Sequence, residues 1–196
     1  MVSKTRDRLI EVARQLFVNK GVENTTMNDI AAASKKGRRT IYTYFKNKKE
    51  IFDAVVESES NAIIMLLKDI VDSDADIVEK LKLYLNKRFE VITAGQKSKK
   101  PYERYKILFS RDARKIEKIY EMARKKEHDV FVQLLQQGVN AGVFDPMQAE
   151  RLPSLMSMVF MTSDHLKLNS ITISANNITE ICDNVIGFVT NGIVIK

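Results

Sequence analysis

The stretch "SKKGRRTIYTYFKNKKE", residues 34–50, holds seven basic side chains and one acidic side chain, Glu50. The aromatic residues Tyr42, Tyr44 and Phe45 lie in the middle of this charge. Repulsion at this density is relieved when the phosphates of a nucleic acid neutralise the cations and release condensed counterions. The stretch therefore favours a DNA-facing surface. The alternative is a solvated helical face.

The net charge of +7 arises entirely in the first quarter of the chain. Residues 1–50 carry twelve Lys and Arg against five Asp and Glu, whereas residues 51–196 carry 20 basic and 20 acidic side chains. A basic excess confined to one segment is typical of a protein with a polyanionic partner. This confinement favours DNA binding over general surface solvation.

The composition indicates a cytoplasmic protein with a substantial core. The chain has 196 residues, 44% of them hydrophobic, and Cys182 is its only cysteine, so an intrachain disulfide is excluded. The charged N-terminal stretch is unlike a signal peptide, and the charge-free runs are shorter than the ~20 apolar residues that span a bilayer. We expect no membrane partner.

Hydrophobic periodicity predicts an all-α fold of about nine helices. Capping-box patterns at Thr26–Asp29 and Asn47–Glu50 predict the starts of the second and fourth helices. The predicted helices span about residues 4–20, 26–33, 38–45, 48–71, 76–94, 101–111, 114–141, 147–168 and 178–194.

The second and third helices, joined by the turn at residues 34–37, predict a helix-turn-helix whose second helix enters the DNA major groove. Arg38 and Arg39 begin that helix, and the planar guanidinium suits the O6/N7 edge of guanine. We expect Tyr42 to face DNA and Phe45 to pack in the core. The alternative is that both are core residues.

The segment "TTMNDIAAASKKGRRTIYTYFKNKKEIFDAV", residues 25–55, resembles the DNA-binding segment of the tetracycline-repressor (TetR) family of bacterial regulators. The resemblance extends over roughly residues 5–56. It implies an N-terminal three-helix helix-turn-helix DNA-binding domain at residues 1–47. A long fourth helix would join it to a C-terminal helical ligand-binding and dimerisation domain at residues 48–196.

The resemblance also implies roles for individual residues. Thr26 would cap the second helix and contact a phosphate, Asn28 would project toward DNA, and Tyr44 would lie near a base edge. Lys48 would contact a phosphate from the start of the fourth helix. The complete expected DNA-binding set is Thr26, Asn28, Lys36, Gly37, Arg38, Arg39, Thr40, Tyr42, Tyr44, Lys46 and Lys48.

Two residues depart from the family pattern. Lys35 stands where the family has a turn glycine, so it must adopt or avoid a left-handed conformation at some cost. Arg39 replaces a small residue and could equally be a phosphate clamp.

The C-terminal part predicts a dimer interface and a ligand pocket. Residues 155–195 contain only four charged side chains, which favours a homodimer through the last two helices over burial within a monomer. Aromatic and methionine side chains between bundle helices could line a pocket or belong to an ordinary core. The expected ligand-binding set is Phe89, Tyr105, Phe109, Phe131, Met158, Met161 and His165.

These observations predict a transcriptional regulator, a repressor released from an inverted-repeat operator by an unidentified small molecule, without cofactor or metal. An effector-independent DNA-binding dimer of the same fold, with an architectural or activator role, is the alternative. An enzyme is disfavoured because no nucleophilic or metal-ligating constellation is present in the sequence.

Overall fold

The computed structural model describes residues 4–93, 117–168 and 175–195. Within these ranges the chain forms eight α-helices and no strand, which confirms the all-α class. The predicted helix at residues 101–111 lies outside the described residues. The helices are α1 (Lys4–Lys20), α2 (Met27–Ala33), α3 (Arg38–Tyr44), α4 (Lys48–Asp72), α5 (Ile77–Thr93), α6 (Glu117–Asn140), α7 (Pro146–Leu168) and α8 (Ala175–Ile193).

Helices α1 to α3 enclose a small core. The predicted apolar face of α1 is buried, with Leu9 and Ala13 inaccessible to solvent, and Ile30 of α2 and Ile41 of α3 complete it. Burying a side chain as large as Leu or Ile stabilises the fold by about 1.5–3 kcal/mol. This burial stabilises α2 and α3, which are too short to be stable as isolated helices.

Helix α4 connects the two halves of the molecule. Its 25 residues span about 37 Å at ~1.5 Å per residue. Near its start Phe52 meets Phe17 of α1 edge to face, with ring centroids 5.6 Å apart. Glu59 is almost completely buried, and its carboxylate lies 3.7 Å from Arg14 Nε of α1. Beyond that point α4 packs against α5 and α6.

Helices α5 to α8 form the larger helical unit. Its core includes the fully buried Tyr84 of α5 and Leu134 of α6. The loop before α7 pairs with the end of α8 in an isolated bridge between Phe144 and Val194. The Asp145 amide donates to Ile193 O at 2.8 Å in this bridge. No helix in the described ranges is both long enough and apolar enough to cross a bilayer.

Candidate nucleic-acid interface

Helix α2 begins with the capping box that the sequence predicts. The Asp29 amide donates to Thr26 Oγ1 at 3.1 Å, and the Thr26 amide donates to Asp29 Oδ2 at 2.8 Å. These hydrogen bonds satisfy two N–H groups that have no partner within the helix. The hydrogen bonds from the Thr26 side chain and backbone also lower the pKa of the Asp29 carboxyl.

The turn between α2 and α3 depends on a strained lysine. Lys35 has a φ of 56°, so of the two alternatives that the sequence left open it adopts the left-handed conformation. The Lys36 amide donates to Ala31 O and the Lys35 amide to Ala32 O, both at 3.0 Å. This pair of bonds is a Schellman motif with lysine where glycine is usual.

Two buried side chains pack α3 against the core of the N-terminal helices. Ile41 and Phe45 are inaccessible or nearly so, which confirms the expected core position of Phe45. The guanidinium carbon of Arg6, near the start of α1, lies 5.3 Å from the centroid of the Phe45 ring. No local sequence pattern predicts this cation–π contact, because it joins residues far apart in the chain. The opposite side of the turn and α3 exposes Lys36, Gly37, Arg38, Arg39, Tyr42 and Lys46.

Arg38 and Tyr42 form a pair on the exposed surface of α3. Tyr42 is 43% exposed, and the Arg38 guanidinium carbon lies 5.8 Å from the centroid of its ring. They are four residues apart, so they lie on the same face of the helix. Stacking restricts the rotamers of Arg38 and directs it along that face before any ligand binds.

The other expected DNA contacts differ in exposure. Thr26 and Asn28 of the α2 start are exposed, whereas Thr40 and Tyr44 are half-buried. Tyr44 packs partly against the core. Direct DNA contact by each of these residues stays a prediction.

The start of α4 differs in detail from the predicted capping box. Asn47 Oδ1 accepts from the Glu50 amide at 2.9 Å, as expected, but the Glu50 carboxylate accepts from the Lys46 amide at 2.7 Å. The ammonium of Lys48, the expected phosphate contact, bonds the loop between α1 and α2. Its Nζ donates to Val22 O at 2.7 Å and to Glu23 O at 3.2 Å.

Two of the expected ligand-binding residues, Phe89 and Phe131, lie inside the larger helical unit. The Phe89 ring meets Phe160 edge to face at 5.6 Å, and the Phe131 ring stacks on Tyr84 at 4.9 Å. Met158 is instead 63% exposed on α7, so the structure does not bring it to these aromatic rings. Four other residues of the expected ligand-binding set lie outside the residues whose side chains the structure describes: Tyr105, Phe109, Met161 and His165.

Beside these rings lies a largely buried ion pair that no local sequence pattern predicts. Arg88 Nε of α5 lies 2.6 Å from the Glu127 carboxylate of α6, and the Arg88 guanidinium carbon lies 4.7 Å from the Phe160 ring centroid. Burial, and then the charge of Glu127, raise the pKa of the Tyr84 hydroxyl well above its usual range, although Arg88 partly opposes this. Among the described residues, no three His, Cys, Asp or Glu side chains are placed to hold a metal ion.

A family model for bacterial regulatory proteins of the tetR family matches residues 9–55. This match spans most of α1, all of α2 and α3, and the first turns of α4. Residues 9–55 are therefore similar to the DNA-binding segment of tetR-family regulators. The match supports a DNA-binding regulator. The matched segment contains every expected DNA-binding residue.

Similarity to individual proteins extends beyond that segment. The HTH-type transcriptional repressor KstR2 of Mycobacterium tuberculosis is 25% identical over 150 residues, which cover 74% of this chain and 72% of the relative. The fatty acid degradation regulator FadR of Bacillus halodurans has a TM-score of 0.67 at 17% identity, over 97% of this chain and 96% of FadR. The regulator FadR of Bacillus subtilis, in complex with stearoyl-CoA, has a TM-score of 0.66 at 18% identity, over 95% of this chain and 98% of that FadR. The two structures share the fold of this chain.

Proposed function

We propose that this protein is a repressor that binds an inverted-repeat operator as a homodimer and is released by a small molecule. The observation that carries the proposal is the exposed cationic surface of the turn and α3. It presents Arg38 stacked on Tyr42, with Lys36, Arg39 and Lys46 around it. Its charge suits phosphates, and its arginines suit base edges in the major groove.

Within this proposal the residues divide into two roles. Arg38, at the first position of α3, reads a guanine edge, and Tyr42 contacts a base or a phosphate beside it. The exposed residues Thr26, Asn28, Lys36 and Lys46 contact the backbone and set the register. Gly37 and Arg39 approach the backbone at the start of α3, while the half-buried Thr40 and Tyr44 contribute only the atoms that reach the groove.

The dimer is proposed from the apolar surface of α7 and α8. Leu155 and Met158 of α7, and Ile181 and Phe188 of α8, are exposed in the single chain. Large apolar side chains clustered on two helices are typical of a surface that a partner covers. A two-fold axis there would place one α3 in each half-site of an inverted repeat.

Release by a ligand is proposed from the course of α4. This helix is separated from the end of α3 by three residues, packs against α1, and ends among α5 and α6, so a change in its tilt alters the separation of the two recognition helices. That separation must match one duplex turn, ~34 Å, for both half-sites to be bound. A coupling free energy of about 1–3 kcal/mol suffices, and operator DNA must weaken ligand binding by the same factor.

The test begins with selection of bound sequences from a random duplex library by the full-length protein. We expect an inverted repeat. Arg38→Ala should weaken operator binding by about 1–3 kcal/mol and relax the base preference at one position per half-site. The matched variant Lys46→Ala should weaken all sequences alike. Failure to select any duplex would overturn the DNA-binding proposal.

The second step adds small molecules to the complex with the selected operator. A metabolite panel would include stearoyl-CoA, the ligand of the Bacillus subtilis FadR complex. A compound that weakens operator binding must itself bind less tightly when operator is present. If no ligand changes operator affinity, the effector-independent dimer is the correct function.

A further inference from the structure

The Lys48 ammonium connects α4 to the segment between α1 and α2. Lys48 is the first residue of α4 and is half-buried. Its Nζ donates to the carbonyls of Val22 and Glu23, at 2.7 and 3.2 Å, across 26 and 25 residues of sequence. Two of its three donors are therefore engaged by the carbonyls of the α1–α2 loop.

The position of this cation is electrostatically unfavourable for the helix itself. The N-terminus of a helix carries a partial positive charge, which repels a lysine in the first turn. The neighbouring Lys49 is compensated by an ion pair with Asp53 at 2.7 Å. Lys48 is compensated by the two carbonyls, because charge-assisted hydrogen bonds are stronger than neutral ones.

The segment that accepts these bonds is rigidly joined to the helix-turn-helix. Thr25 is completely buried, and its Oγ1 donates to Gly21 O at 2.8 Å. The next residue, Thr26, caps α2, and the turn at Lys35 joins α2 to α3. A movement of the first turn of α4 is therefore transmitted through the Lys48 ammonium to the elements that carry α3.

We propose that Lys48 is a positioning residue, which fixes the orientation of α4 relative to the helix-turn-helix and so the separation of the two α3 helices in the dimer. This inference rests on the proposed function. It replaces the expectation that Lys48 binds a phosphate. A phosphate contact releases counterions and so contributes to the salt dependence of DNA binding, whereas an internal hydrogen bond does not.

The test compares full-length Lys48→Met and Lys48→Gln with the wild type and with Lys46→Ala, an exposed lysine of the same surface. Methionine keeps the aliphatic stem and removes both charge and donors, whereas glutamine removes the charge but keeps two donors. Operator affinity is measured from low to high salt on the selected operator and on operators with one base pair added or removed between half-sites.

We expect Lys48→Met to lose about fivefold or more in operator affinity, with the log–log salt slope of the wild type. It should also discriminate less between the native and altered spacings, which a general loss of stability would not cause. Lys48→Gln should stay close to the wild type in affinity, slope and spacing preference. Lys46→Ala should flatten the slope by about one unit per subunit while keeping the spacing preference.

The inference is overturned if Lys48→Gln flattens the salt slope as Lys46→Ala does, because Lys48 would then neutralise a phosphate. It is also overturned if Lys48→Met retains both affinity and spacing preference. If Lys48→Met does not fold, the salt slope and spacing preference of Lys48→Gln distinguish the positioning role from a phosphate contact. A wild-type protein that selects no duplex would instead refute the proposed function, a separate result.

Discussion

Lys35 holds a backbone conformation that a non-glycine residue adopts at a cost. Its φ of 56° closes the turn between α2 and α3, and its side chain is exposed. A left-handed residue with a Cβ costs about 1–2 kcal/mol relative to the right-handed region. Glycine avoids this strain but loses more entropy on folding, about 0.5–1 kcal/mol.

We therefore predict that Lys35→Gly raises the free energy of unfolding by about 0.5–1 kcal/mol. Urea denaturation measures it. Lys36→Gly is the matched control, because it removes the same charge from the adjacent residue, whose φ is not positive. That control should be neutral or destabilising. An equal gain from both variants would mean that charge repulsion, rather than backbone strain, limits stability here.

Glycine is required at position 138 by the close packing of a neighbouring side chain, and not by its own backbone conformation. A Cβ built on Gly138 would overlap the ring of Phe144, which is fully buried. The ring cannot move freely, because the Phe144 amide also donates to Gly138 O at 3.1 Å. Close packing in the interior thus excludes even one methyl group at this site.

We predict that Gly138→Ala lowers the free energy of unfolding by about 1–3 kcal/mol, the usual cost of overpacking, although alanine is the better helix former. Gly187→Ala in α8 is the control, since no described atom lies within 4 Å of its added Cβ. It should be neutral or stabilising. If thermal unfolding shows the same change for both, the packing explanation fails.

At the scale of elements, α5 and α6 are joined by a buried charge pair. Arg88 is nearly inaccessible, lies 2.6 Å from the Glu127 carboxylate and contacts the Phe160 ring of α7. A buried ion pair of this kind contributes little net stability compared with apolar side chains of similar volume. Removing one partner nevertheless destabilises the fold, because it leaves the other charge poorly solvated.

We predict that Arg88→Met lowers the free energy of unfolding by roughly 3 kcal/mol. The double variant Arg88→Met/Glu127→Leu should be more stable than Arg88→Met alone, because it removes the stranded carboxylate. A double-mutant cycle in urea gives the coupling between the two side chains. Additive losses would show that the two charges do not depend on each other.

At the scale of the whole molecule, the exposed apolar side chains of α7 and α8 decide which variants test the dimer. The charge-poor sequence of these helices suggests many interface positions, including Phe160. The structure buries Phe160 against Phe89, so a charge there would damage the subunit itself. Phe188, which is 82% exposed, is the informative position.

We predict that Phe188→Glu converts a dimer into folded monomers, measured by sedimentation equilibrium with circular dichroism to verify helicity. Burying an unpaired carboxylate in an apolar interface is costly, so association is lost before folding is. Met65→Glu is the control, because Met65 is 66% exposed on α4, away from α7 and α8. A Phe188→Glu dimer would place the interface elsewhere.

Most of the fold could be predicted from local sequence because its signals act over a few residues. Helical periodicity predicts the described helices to within a few residues. The spacing of Thr26 and Asp29 predicts a capping box, whereas the sequence left open whether Lys35 adopts a left-handed conformation. Confinement of the basic charge to residues 1–50, with arginines opening α3, was enough to predict an exposed cationic surface there.

Only the tertiary structure decided contacts between residues distant in the chain. Lys48 reaches a carbonyl 26 residues away, and Arg88 pairs with a carboxylate 39 residues away. Periodicity identifies an apolar face but does not say which neighbour covers it, so it could not predict that Met158 is exposed and Phe160 is buried. Side-chain direction and packing partners depend on how the helices cross, and that is determined by the whole core together.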